Sequence, residues 1–203
     1  MLSSSIIQSF ALELQSARTT KVQLRQLSKS HPDATLASAY AIQKAWVKLE
    51  MDRGRTAKGR KIGLTSKALQ QAFKAGEPTH APLMDDMFFV DGAELPTNRF
   101  IPPRIESELA FVLKKPLKRS NITLFDALDA IAYVTPAIEI IDSRMQLTDP
   151  QTKEPRNAID QVADFAGCAG IVLGGRPRVQ FPPTPPDASL KAARFNHLAA
   201  FSS

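Results

Sequence analysis

The chain has 203 residues, of which 43% are hydrophobic, 23% charged and 7% aromatic, and its formal net charge is +6. That is enough apolar material for the core of one domain, or of a domain with an appendage. A single cysteine, Cys168, excludes an internal disulfide, and no Cys/His spacing suits a structural zinc, so any bound metal rests mainly on oxygen ligands.

The opening stretch SSSIIQSFALELQSARTTK carries no basic leading segment and breaks its apolar residues with Gln8, Glu13 and Gln15, so it reads as an amphipathic helix rather than a signal peptide. No stretch approaches the roughly 18 apolar residues of a membrane span, so cytoplasmic residence with no membrane partner is expected. Leu36, Tyr40, Trp46 and Leu49 recur near the helical period and predict a second helix, stopped by Gly54. The densest basic cluster follows: Arg53, Arg55, Lys58, Arg60 and Lys61. It has no interleaved aromatic residues to stack on bases, and no nucleic-acid partner is expected.

KIGLT, residues 61–65, predicts a short strand, and Ser66 caps a helix through Phe73 that ends at Gly76. EPTHAPLMDD (77–86) reads as a proline-bearing loop, with Asp85 and Asp86 as loop structure. MFFV then predicts a strand, reversed at Asp91-Gly92. Pro96, Pro102 and Pro103 hold the chain extended as it enters RIESELAFVL, residues 104–113, a predicted strand. Thr123 caps the predicted helix LFDALDAIA, and Pro136 opens a further apolar run, AIEIID (137–142). AGIVLGG (169–175) is the last predicted strand. Strands and helices without strict βαβ alternation predict an α+β domain around a mixed sheet. Beyond Pro177 come prolines at 182, 183, 185 and 186 and an alanine-rich stretch suited to one short helix, which does not look like more sheet.

Residues two apart in a strand share a face, so Glu106 and Glu108 stand side by side with Ala110 and Val112, while Ile105, Leu109 and Phe111 fill the other face. Both could face water at a sheet edge. Glu139, flanked by Ile138 and Ile140, adds a third carboxylate from a second apolar strand, and three such groups suit a hard divalent cation. The residues by themselves leave these two readings open. Lys61 likewise is either an ammonium tuned by partial burial for proton transfer or one more member of the solvated basic cluster, and on the residues alone the second is preferred.

GRKIGLTSKALQQ, LMDDMFF, IPPRIESELAFVL, AIEIIDSR and AGIVLGGRP together resemble the hydratase and decarboxylase branch of the fumarylacetoacetate hydrolase superfamily, from the N-terminal helix to Pro177. The resemblance implies a mixed β-roll with N-terminal helices, divided as an N-terminal helical/αβ region (1–75), a partial roll core (76–177) and an atypical Pro/Ala-rich tail (178–203). It implies Mg²⁺ or Mn²⁺ held by Glu106, Glu108 and Glu139, with Lys61 at the position of the family's active-site lysine. The implied activity is a hydro-lyase's: adding water to a 2-oxo or 2-hydroxy unsaturated acid, a small dicarboxylate, in aromatic catabolism of the homoprotocatechuate type. The alternatives are a decarboxylase of the 4-oxalocrotonate type and a non-catalytic truncated subunit. Members of the family commonly assemble as homo-oligomers, so the resemblance implies a homo-oligomer here.

Three departures stand out. Thr79 lies where many relatives carry an aspartate suited to acid/base work, and the adjacent His80 is the candidate to replace it. Phe165 lies where relatives carry an asparagine. After Pro177 the strands that close the roll in relatives give way to the proline-rich tail, so the C-terminal strands are expected to be missing.

Overall fold

The computed structural model describes residues 1–118, 120–175 and 198–202. Helix α1 (Ser4–Thr20) begins where the Ser3 side chain accepts a hydrogen bond from the Ile6 amide, and it ends at Lys21 in the left-handed conformation. A single helical turn, α2 (Leu27–Ser30), precedes α3 (Leu36–Asp52), which Thr35 caps through the Ser38 amide. Phe10, Leu14, Ile42 and Trp46 of the two long helices are buried in the main core.

Strand β1 (Ala57–Gly63) leads into α4 (Lys67–Ala72), capped by Ser66 as the sequence predicts. The segment read as a loop is instead strand β2 (Thr79–Met84), antiparallel to β1 and buried along most of its length. Pro82 misled that reading. It is tolerated because β2 lies at an edge of the sheet, where a missing N–H costs no ladder bond on the outer side. Strand β3 is only Phe88–Phe89, and the stretch before the acidic strand contains a 3₁₀ turn at Thr97–Arg99.

Strand β4 (Arg104–Leu113) has the predicted limits. Helix α5 (Leu124–Ala130), closed at its start by the reciprocal bonds of Thr123 and Asp126, is shorter than predicted, and β5 (Ile131–Ile141) is longer, running through Pro136. That proline lies just beyond the last pair with the next strand, Ala137 with Leu173, so no bond on that side is forfeited. Sequence reading missed α6 (Ala158–Ala163), although Asn157 and Asp160 form a capping box at its start. Strand β6 (Cys168–Leu173) follows.

The expectation that the chain leaves the sheet after Pro177 is corrected in part. Residues Leu198–Ser202 form strand β7, antiparallel to β1 and parallel to β4. Without it β1 and β4 would face each other with unpaired backbone groups, and a short segment able to satisfy both is held there. The proline cluster and most of the alanine-rich stretch lie outside the described residues. The result is a mixed seven-stranded sheet in the order β2-β1-β7-β4-β5-β6-β3, an α+β arrangement. Among the described residues no helix is long and apolar enough to cross a membrane.

The alternation of β4 is as predicted, but the burial is reversed. Glu108 is 2% exposed and Glu139 1%, whereas Ile105 is 73% exposed and Ile138 44%. The acidic face points into the molecule because the sheet curves toward it. Lys61 of β1 reaches Glu139 of β5 across two intervening strands.

Candidate active site and metal centre

The antiparallel register of β4 and β5 puts Glu106 directly opposite Glu139, and Glu108 follows two residues along the same face. One carboxylate oxygen from each lies within 4.8 Å of the others. Among the described residues no hydrogen-bond donor reaches either oxygen of Glu108, although that residue is buried. A buried carboxylate without a donor is costly, and three acceptor-only groups converging on one point fit a hard divalent cation. Burial first, then the Glu139 charge, pushes the Glu108 carboxyl up to about 8, with Lys61 opposing.

That shift sets a pH dependence. Without a cation the folded chain keeps a proton on Glu108 that the unfolded chain, at the ordinary value of 4.5, has lost, so stability falls as pH rises from there toward about 8. A cation must displace the same proton. Its affinity is therefore expected to climb by up to about tenfold per pH unit between pH 6 and 8, then level off. Titration calorimetry with Mg²⁺ in non-chelating buffers checks this, and a flat profile would mean that no proton is displaced.

Lys61 is 2% exposed, so the solvated reading does not hold. Its ammonium forms an ion pair with Glu139 Oε1 at 3.2 Å and donates to the carbonyl of Ala166 at 3.1 Å. Burial works to lower its pKa, but the Glu139 charge, with smaller contributions from Cys168 and Glu106, outweighs this and holds it raised. Lys61 is therefore an ammonium. The Cys168 thiol nearby is fully buried and pushed well up by that burial, which leaves it inert as a nucleophile.

The carbonyl that meets Lys61 comes from an unusual turn. Phe165, Ala166 and Gly167 all have positive φ, at 51°, 52° and 80°. Such strain persists only where the surroundings hold it. Here the holder is Asp164, whose carboxylate accepts from Arg144 Nε at 2.5 Å and from the Arg144 amide at 2.9 Å, while Arg144 Nη2 donates to the Asp164 carbonyl at 2.8 Å. Phe165 is buried and stacks on Trp46, with ring centroids 4.1 Å apart. Its side chain packs the core beneath the turn.

A cavity of about 340 Å³ opens beside this group, lined among others by Lys61, Glu106, Arg104, Arg156, Gln161 and Ala166. Sequence reading named neither arginine. Arg104 was within reach of it, as the residue that starts the acidic strand. Arg156 was not, since it arrives from a loop 17 residues beyond Glu139 and is fixed by a 2.7 Å bond to Ser143 Oγ.

His80 is not brought to the cluster. Ile62 is its partner on β1, whereas Lys61 pairs with Ala81, so His80 and Lys61 project to opposite faces. The imidazole stacks on Tyr40 at 4.7 Å, and burial and then Arg60 lower its pKa. Of Thr79 and His80, it is Thr79 that shares the Lys61 face.

No family model matches the chain. It is 52% identical over 167 residues to 2-oxo-hept-4-ene-1,7-dioate hydratase of Escherichia coli, an alignment covering 82% of this chain and 62% of that protein. It is 35% identical over 171 residues to 2-keto-4-pentenoate hydratase of Paraburkholderia phymatum, covering 84% and 63%. Among solved structures, 4-oxalocrotonate decarboxylase from Pseudomonas putida G7, complexed with magnesium and adipate, matches with a TM-score of 0.80 at 30% identity, over 88% of this chain and 66% of that one. Over the stretch they share, the chain is similar to these hydratases and to the decarboxylase. It spans just over three fifths of the length of these two hydratases. The family's sequence likeness thus covers the acidic strands, the lysine strand and the helices around them.

Proposed function

We propose that this chain provides the catalytic centre of a hydro-lyase that adds water to a 2-oxo or 2-hydroxy unsaturated dicarboxylic acid in aromatic catabolism. The single observation that carries the reading is the converging trio of Glu106, Glu108 and Glu139, the first half-buried and the other two buried, with a donorless carboxylate at Glu108. These three residues would hold Mg²⁺ or Mn²⁺. When bound there, the ion supplies a Lewis acid that stabilises negative charge developing on the C2 oxygen. Relatives named as hydratases and a structural neighbour containing magnesium support both parts of the reading.

The remaining work falls to the chain's own side chains. The Lys61 ammonium offers positive charge and a proton at the edge of the cavity. Arg104 and Arg156 would receive a substrate carboxylate and orient the carbon skeleton so that hydroxyl adds at C4. The exposed Ile105, Ile138, Leu124 and Phe125 support a homo-oligomer. The curved seven-stranded sheet is read as the greater part of a β-roll.

A second reading, decarboxylation of a related oxo-acid, is favoured by the likeness to the decarboxylase structure. Assaying dialysed protein with and without Mg²⁺ on 2-oxohept-4-ene-1,7-dioate, following both loss of the unsaturated acid and CO₂ release, separates the readings. Hydration without CO₂ supports the first. No turnover with Mg²⁺ still bound leaves a non-catalytic subunit. Lys61→Met is expected to lower kcat by about 10²- to 10⁴-fold while Mg²⁺ still binds, and a near-normal kcat would remove Lys61 from the chemistry.

A further inference from the structure

Thr79 is 1% exposed, and among the described residues its hydroxyl oxygen has no hydrogen-bond partner. A buried hydroxyl left unpaired is destabilising, and such groups are normally satisfied by protein or by an ordered water. The register of β1 and β2 sets Gly63 directly opposite Thr79, on the face that also carries Lys61. A β-carbon at residue 63 would come within 3.2 Å of Thr79 Oγ1 and 3.5 Å of Lys61 Nζ. Gly63 is not among the glycines with positive φ, so its backbone does not demand glycine. The missing side chain keeps a carbon from crowding these two polar atoms. The Lys61 ammonium has three protons, of which one goes to the Ala166 carbonyl and one can face Glu139.

We infer that Gly63, Thr79 and Lys61 form a seat for one water molecule, with Thr79 as a positioning residue that holds this water against the Lys61 ammonium. The inference rests on the hydratase reading for its kinetic consequence, but not for the seat itself. A water there satisfies the Thr79 hydroxyl and the third lysine proton together, which gives it the two polar partners that a buried water needs at least. It also fixes the direction in which Lys61 presents its proton. His80, next along β2, cannot serve in this way because it projects to the other face.

Two measurements test the seat. In a high-resolution crystal structure of the Mg²⁺-loaded protein, density for a water within hydrogen-bond distance of both Thr79 Oγ1 and Lys61 Nζ is expected, and a dry gap would overturn the proposal. In kinetics, Thr79→Val is expected to lower kcat about tenfold, the worth of one hydrogen bond, with KM and Mg²⁺ affinity within twofold of the parent. Thr79→Ser should restore kcat, and Gly63→Ala, which fills the gap, should reproduce the loss. An unchanged kcat in Thr79→Val overturns the positioning role. If the parent protein turns nothing over, the hydratase reading fails, and the crystallographic water alone decides the seat.

Discussion

Glu139→Gln is expected to weaken Mg²⁺ or Mn²⁺ binding by more than about 100-fold and to abolish cation-dependent turnover. Removing an outer partner of a metal ligand already costs 10- to 100-fold, and Glu139 would be a ligand itself, facing Glu106 across the strand pair. The substitution keeps the shape of the side chain but removes the charge that holds Lys61, so the Lys61 ammonium loses its ion-pair partner. Calorimetric titration on the folded variant measures the first effect. Unchanged affinity would mean that the trio is not a cation site.

The second large effect is expected away from the carboxylates. Asp164→Ala leaves the Arg144 guanidinium buried and without its carboxylate, a change that typically costs about 3–5 kcal/mol. For a chain of this length that corresponds to a drop in melting temperature of roughly 10 °C. The turn at 165–167 loses the contact that keeps its three positive-φ residues in place, and with it the carbonyl that orients Lys61. Activity should therefore fall further than stability alone requires. The double variant Arg144→Met/Asp164→Leu should regain much of the melting temperature, since apolar replacements of a buried ion pair are often close to neutral. Failure to regain it would point to the backbone bonds of Arg144 as the main support of the turn.

The sequence made the acidic strand legible down to its terminal residues, because a ten-residue alternation bounded by prolines and a Lys-Lys-Pro turn permits little else. The caps at Ser66 and Thr123 were equally plain. The inward direction of the acidic face was not. A hydrophobic count along β4 assigns Ile105 and Leu109 to the core, and only the curvature of the whole sheet turns Glu108 inward instead. The strand at Thr79–Met84 was hidden by Pro82, whose penalty vanishes at an edge that sequence cannot locate. That single misreading carried a second one. A loop over 77–86 leaves His80 free to replace the missing aspartate, whereas strand alternation sends it to the face opposite Lys61. Arg156 and the strained turn had no local signal, since both depend on contacts between distant segments.

The Glu106–Glu139 pairing has a consequence for folding as well as for chemistry. Two carboxylates set opposite each other repel, and in the native alignment of β4 and β5 that repulsion has to be offset, by the Lys61 ammonium at Glu139 and by any bound metal ion. A slip of one residue would send Glu106 and Glu108 to the outer face and relieve the repulsion. A cation held by all three groups would reward only the native alignment. The ion would then act as a proofreader of strand register, retaining its grip only on chains whose central strands have paired correctly.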